Sequence, residues 1–286
     1  MLKDFRASLR TVPGRARATG VGLALACVLP LPAFAASASC SVAALSAYGV
    51  PGVTIQSATD VPASVYGAEF CDVVGTLTTH GEGAPDGSAG FQLWLPVQWN
   101  HKFVFWGVGG LAGSTYADFA ANPVDFASAL PKGYATAITD TGHQAGNTDA
   151  AWALESTGVP NEATLTDYYH RATHEVALAT KQLIKAYYAA ASIEHSYFDG
   201  CSNGGRQAMV EATRYPEDFD GIIAGAPFMD IRTIIAGAKF QKVQLHSPVD
   251  YIPASMLPII DQAVYASCDA ADGVQDGLIQ NPAHCS

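Results

Sequence analysis

The run Gly200-Cys201-Ser202-Asn203-Gly204 constrains this chain more than any other segment. It lies between a β-prone run, His195 to Phe198, and a helical stretch from about residue 203 to 214. Glycines two residues before and two after a serine allow a strand to turn so sharply into a helix that the serine side chain is lifted out at the strand's end. A turn of this kind belongs at the C-terminal edge of a parallel sheet, so it bears on the fold as well as on the site. Ser202 is thereby a candidate nucleophile, and the backbone N–H of Asn203 is a candidate oxyanion donor, assisted by the positive end of the helix dipole. The plainer alternative is a serine that only caps the helix.

The rest of the sequence supplies the context such a turn needs. Cys71 to Thr79 and Phe91 to Pro96 read as short strands, an antiparallel pair near one edge. Lys102 to Trp106 is an apolar strand that empties into Gly107-Val108-Gly109-Gly110, and Tyr134 to Thr139 is another, ending in Asp140-Thr141-Gly142-His143. Asp167 to Ala190 is expected to be helical, with Ala172, Val176, Leu183 and Tyr187 at helical spacing. Gly221 to Ala224 is the strand after the serine helix, closed by Gly225-Ala226-Pro227. Strands alternating with helices predict an α/β fold, a mostly parallel sheet with helices on both faces. The alternation stops near residue 228, where two helical segments lead into an acidic loop at 268–285. The organisation expected is therefore a leader at 1–35, a core at 36–227, and the start of a separate lid at 228–286.

The leader is read from Lys3, Arg6, Arg10, Arg15 and Arg17, followed by an apolar run from Gly20 and small residues at Ala33-Phe34-Ala35. This is the plan of a secretory signal peptide; an uncleaved anchor is the alternative. Its removal leaves 10 Lys+Arg against 25 Asp+Glu, a net charge of −15. So acidic a surface repels phosphate backbones and argues against nucleic acid as a partner. With 49% hydrophobic residues and only 14% charged, the chain can bury a sizeable core. No further stretch is apolar enough to span a bilayer, so the mature protein is expected to be secreted or periplasmic and not held in a membrane. Five cysteines remain after the leader: Cys40, Cys71, Cys201, Cys268 and Cys285. An odd number in an oxidising compartment leaves one partner to be found.

The run from Tyr197 to Ala208, centred on Gly200-Cys201-Ser202-Asn203-Gly204-Gly205-Arg206-Gln207, continues through Arg214-Tyr215-Pro216-Glu217-Asp218-Phe219-Asp220-Gly221 to Pro227. It resembles the tannase/feruloyl esterase family of α/β-hydrolases. Leu95-Pro96 with Trp99-Asn100, the glycine run at 107–113 and Thr139-Asp140-Thr141-Gly142-His143 agree, so the resemblance covers most of 90–285. It implies a secreted serine esterase acting on a small aromatic-acid ester (feruloyl, galloyl or phthalate-like) through an acyl-enzyme on Ser202. It also implies that Cys201 is one half of a disulfide clamp whose other half follows the catalytic histidine. That histidine, its cysteine and the triad aspartate are expected beyond residue 286, which makes the chain a C-terminally truncated member and this fragment alone inactive. The competing reading is a non-catalytic, calcium-stabilised α/β module without the triad Asp and His. A lipase or peptidase would share the turn but gives no reason for Cys201.

The glycine run offers Gly109 and Gly110 as second oxyanion donors, because backbone N–H groups must reach the ester oxygen unobstructed. Val108 departs from the family's glycine-richer pattern. The histidines within the chain fit the role of base poorly. His170 and His174 lie one turn apart on a helix, but a zinc-protease motif would need Glu where Arg171 stands. His143 ends a strand near the functional edge, and His195 opens the strand whose far end bears Ser202.

Asp269, Asp272 and Asp276 converge only if their loop wraps a cation, with Gly273 and Gly277 permitting the turns; a solvated acidic turn is the alternative. A loop that also offers carbonyls suits Ca²⁺ better than Mg²⁺, and its spacing is not that of an EF-hand. By resemblance the three carboxylates and the backbone oxygens of Val274 and Leu278 hold a structural Ca²⁺ in the lid. By the same resemblance Cys268 and Cys285 staple that loop, so His284-Cys285 is not the catalytic pair. Cys40 and Cys71 are likewise expected in a disulfide.

Overall fold

In the computed structural model the described residues are 39–115, 127–246, 249 and 251–285. The expected leader at 1–35 lies outside them. The chain enters through α1 (Val42–Ser46), whose first turn is capped by the Ser41 hydroxyl accepting from the amide of Ala44, and passes into β1 (Val53–Val61). A one-turn helix, α2 (Ala63–Tyr66), leads to β2 (Phe70–Thr79), then β3 (Gly87–Pro96), β4 (Lys102–Trp106) and β5 (Ala135–Thr139). A small hairpin, β6 (Leu154–Ser156) with β7 (Val159–Pro160), precedes α3 (Glu162–Thr166), a π turn over Asp167–Arg171, and α4 (Ala172–Tyr187). Then come β8 (His195–Cys201), α5 (Asn203–Arg214), β9 (Gly221–Gly225), and the helices α6 (Ile231–His246) and α7 (Leu257–Cys268).

The main sheet runs β1-β2-β3-β5-β4-β8-β9. Its first three pairings are antiparallel; β5, β4, β8 and β9 pair in parallel and form the α/β core. The sequence of each strand suits its place. Phe103-Val104-Phe105 and all of β5 are buried, as strands covered on both faces must be. In β1 only Ile55 is buried. That strand was not anticipated, because its polar, edge-exposed residues carry no apolar alternation; a register shift between Ile55 and Ser57 twists it at the sheet edge.

One face of the sheet is covered by α4 and α5. Ala172, Val176, Leu183 and Tyr187, the residues at helical spacing, are buried there with Leu93, Phe103, Phe105 and Phe198. The other face packs Phe70, Trp94 and Ile138 against Val108, Leu130 and Tyr168. The disulfide Cys40–Cys71 ties the segment before α1 to β2.

Helix α4 does not begin where its sequence reads as helical. The π turn at Asp167–Arg171 comes first, and it holds an ion pair with no solvent exposure on either side chain. Arg171 Nε donates to Asp167 Oδ1 at 2.7 Å, and its terminal nitrogens donate to the carbonyls of Gly81 and Ala163. Thr79 Oγ1 donates to the other Asp167 oxygen at 2.9 Å. Gly87 leaves the space: a Cβ there would lie 2.0 Å from Asp167 Oδ2. With every charge-bearing atom engaged, the pair is tolerated, but either partner alone would be an uncompensated buried charge. Asp167→Asn is therefore expected to cost on the order of 3–5 kcal/mol in urea unfolding. Replacing both residues by an apolar pair should cost less than that single change.

Candidate active site

Ser202 sits between β8 and α5 with φ 60° and ψ −118°. A non-glycine residue there costs about 1–3 kcal/mol, and surrounding bonds must impose it. Ser202 N donates to Gly225 O, while its carbonyl accepts from the amides of Arg206 and Phe228, all at 3.0 Å. The side chain is exposed at the C-terminal end of the parallel strands.

The glycines around it are there because backbone meets backbone. A Cβ on Gly200 would stand 2.4 Å from Gly204 O, and one on Gly205 would stand 2.3 Å from Gly225 O. On Gly204 it would lie 2.8 Å from the main chain of Gly107, so the start of α5 touches the loop leaving β4. That loop is held by α5 at one peptide group. Val108 N donates to Gln207 Oε1, and Val108 O accepts from Asn203 Nδ2, each at 2.9 Å. The Val108 side chain is buried in the second core, which accounts for an apolar residue inside a glycine run.

The amides of Gly109 and Gly110 have no hydrogen-bond partner among the described residues, and neither has that of Asn203. Leu111 N is engaged, donating to Asn147 O at 2.7 Å. Three amides thus remain uncommitted among the described residues, one on the turn of Ser202 and two on the loop that meets that turn through Gly107 and Gly204. Beside Gly109 a cleft of about 480 Å³ is lined also by Trp106, Gly107, Asp199, Gly200 and Cys201.

Sequence reasoning missed the residue that braces this arrangement. Arg206 Nε donates to Asn203 Oδ1 at 2.8 Å, and its terminal nitrogens donate to the carbonyls of Tyr168 and Tyr169 at 2.9 Å. Its guanidinium lies 4.7 Å from the centre of the Tyr168 ring, and Tyr168 Oη donates to Asn203 Oδ1 at 3.0 Å. The π turn is thereby fastened to the residue after Ser202. The one sequence signal for this was Arg206 itself, a cation in the first turn of a helix whose dipole disfavours it there.

None of the chain's described histidine rings is bonded to Ser202. His143 is buried, stacked on Trp152 at 3.8 Å, with Nε2 against Leu111 O; burial pushes its pKa down. His170 faces the Tyr215 hydroxyl, His174 faces Asp218, and His195 stands exposed at the opposite end of β8. Cys201 is exposed and unpaired among the described residues, while Cys268 and Cys285 are bonded to each other. In the acidic loop Asp269 Oδ1 accepts from Gly277 N at 2.9 Å, and Asp276 Oδ1 accepts from Leu278 N at 3.1 Å. Gly273 and Gly277 are left-handed. The side chain of Asp272 lies outside the described set.

Behind the glycine loop, Asp140 is buried and accepts from the amides of Gly90 and Gly142 at 2.8 and 2.9 Å. Burial nonetheless pushes its pKa up to about 7, with the Asp167 carboxylate adding to the rise. The folded protein therefore keeps a proton that the unfolded chain loses near pH 4. Stability from this group is full at low pH and falls as pH rises through about 7, by on the order of 4 kcal/mol. Asp140→Asn keeps the acceptor oxygen, so it is expected to flatten the pH 4–7 limb of urea midpoints without lowering the acid end.

A family model described as tannase and feruloyl esterase matches residues 71–286. An uncharacterised esterase of Xanthomonas campestris is 37% identical over 255 residues, 85% of this chain and 42% of that protein. A probable feruloyl esterase of Arthroderma benhamiae is 38% identical over 197 residues, 68% of this chain and 35% of that one. The crystal structure of feruloyl esterase B from Aspergillus oryzae superposes with TM-score 0.64 at 29% identity, covering 83% of this chain and 47% of the other. The chain therefore spans less than half the length of these relatives. On the strength of the match across 71–286, it belongs to the tannase and feruloyl esterase family of α/β-hydrolases.

Proposed function

We propose that this chain carries the nucleophile half of a secreted serine esterase for aromatic-acid esters. The observation that carries the reading is the strained, exposed Ser202 on a turn in backbone contact with the Gly107 loop, whose Gly109 and Gly110 amides are uncommitted among the described residues. In this reading the Ser202 hydroxyl attacks the ester carbonyl, and the oxyanion is received by the amides of Asn203 and of Gly109 or Gly110. The alcohol leaves, and water releases the acid from the acyl-enzyme. The cleft's volume and its Trp106 wall suit a single aromatic acyl group. The names of the relatives support the same class of ester. Base and acid are supplied from outside the described residues, and Cys201 is free to pair with a cysteine beside that base. Secretion is supported by the basic and apolar leader and by the two disulfides. No helix among the described residues is long and apolar enough to cross a membrane.

The test is trapping with a fluorophosphonate in a polypeptide of the relatives' length that contains this segment. The expected adduct is on the Ser202 peptide, and Ser202→Ala should lose both the adduct and hydrolysis of methyl ferulate by at least 10³-fold. An adduct on another serine, or hydrolysis that survives the substitution, would defeat the assignment. An unlabelled Ser202 would favour the inert-module reading.

The 268–285 loop fits a structural Ca²⁺. The disulfide closes it, two left-handed glycines turn it, and Asp269 reaches across to Gly277. Asp269, Asp272 and Asp276 would hold the ion with the carbonyls of Val274 and Leu278, supplying positive charge that relieves the carboxylates and orders the lid. Adding Ca²⁺ to chelator-stripped protein is expected to raise the melting temperature, and Asp276→Ala should remove that response. An equal rise in the variant would count against these ligands.

A further inference from the structure

Helices α4 and α5 meet at a polar cluster for which the ester chemistry has no use. His174 on α4, Glu211 on α5 and Asp218 in the turn before β9 each bring one ligand-type atom within 4.8 Å of the others. Glu211 is fully buried and Asp218 is 6% exposed. His174 Nδ1 lies 2.6 Å from Asp218 Oδ2, and its ring stacks on Tyr215 at 3.9 Å. Lys181 does not neutralise the pair by hydrogen bonding: it donates to the main-chain carbonyl of Asp218, with its ammonium over the Phe219 ring.

Glu211 is the anomaly. Neither of its oxygens has a hydrogen-bond partner among the described residues. Its polar neighbour is the Asp218 carboxyl, an acceptor unless one of the two acids carries a proton. A buried carboxylate without a donor is among the costlier arrangements in a protein interior. Two acids so placed coexist by sharing a proton or by holding a cation.

We propose that His174, Glu211 and Asp218 form a structural site for a divalent cation of the Zn²⁺ type, which pins the helix following Ser202 to α4. One imidazole nitrogen and two carboxylate oxygens suit Zn²⁺, whereas Ca²⁺ takes oxygen ligands alone. The His174 side chain is 26% exposed, so water can complete a tetrahedral shell from that side. On binding, the cation takes the place of the Glu211 proton, which passes to solvent, and the His174 proton moves from Nδ1 to Nε2 so that Nδ1 can coordinate. Glu211 follows Ser202 by nine residues of helix, about 13 Å at 1.5 Å per residue. The ion therefore touches no reacting atom and acts by fixing α5. The site is separate from the 268–285 loop in both residues and ligand chemistry.

The experiment strips the full chain with chelator, restores Ca²⁺ in excess so that the acidic loop is not the reporter, and then adds Zn²⁺. Bound zinc is counted by mass spectrometry after desalting, and melting is followed with and without the metal. The wild type is expected to retain one zinc more per chain than Glu211→Gln and to melt several degrees higher when zinc is present. The isosteric Glu211→Gln should show no such shift. His174→Gln, at a part-exposed position, should behave in the same way and serves if Glu211→Gln fails to fold. A wild type that retains no zinc, or variants that retain as much as the wild type, would overturn the site.

Discussion

Gly107 leaves β4 and Gly204 opens α5, and a Cβ added to either would come within 2.7–2.8 Å of the other's main chain. This contact between two backbones sets what the rest of the site can do. It brings the loop bearing Gly109 and Gly110 against the turn bearing Ser202, so amides from separate segments share one end of the parallel sheet. Side chains could not achieve that distance, because every side chain adds at least one carbon between the chains. The bonds from Asn203 and Gln207 to the Val108 peptide then fix the loop along the helix, so the contact has a register as well as a separation.

Behind this contact the scaffold is polar where a core would ordinarily be apolar. Arg206 spans from Asn203 to the carbonyls of the π turn, and the turn in turn contains the Asp167–Arg171 pair that reaches β2 through Thr79. An apolar contact would cost less to bury, but it has no preferred angle. Charge-assisted hydrogen bonds from planar guanidinium groups impose distance and orientation together. A residue strained at φ 60° needs that kind of constraint, since packing alone would let the turn relax.

The sequence disclosed the parts governed by local rules. Strands β2 to β5, β8 and β9 were legible because burial on one or both faces writes itself as apolar runs, and the Ser202 turn was legible because its glycines are obligatory. The edge strand β1 was hidden, having only Ile55 to bury. The π turn was hidden because Asp167 to Arg171 has the composition of ordinary helix, and the donor its Tyr168 and Tyr169 carbonyls meet is Arg206, 38 and 37 residues away. In the sequence His174 stood out only as lying one turn from His170, and the carboxylates it meets lie in segments that only the fold brings together. Long-range polar pairing leaves no periodic trace, and at this site it decides most of the geometry.

The buried acids around the nucleophile show three different solutions to one electrostatic problem. Asp167 is matched by a cation, Asp140 by two backbone amides, and Glu211 by neither. Burial pushes Asp140, with amides but no cation bonded to it, up to about 7; burial and the neighbouring Asp218 carboxyl also push Glu211 up, against a smaller opposing pull from the Lys181 charge. Amide dipoles therefore offset only part of the cost of burying Asp140. Because these groups are shielded from solvent, added salt reaches them poorly. The rigidity they give the turn should thus respond to protons and to bound cations far more than to ionic strength.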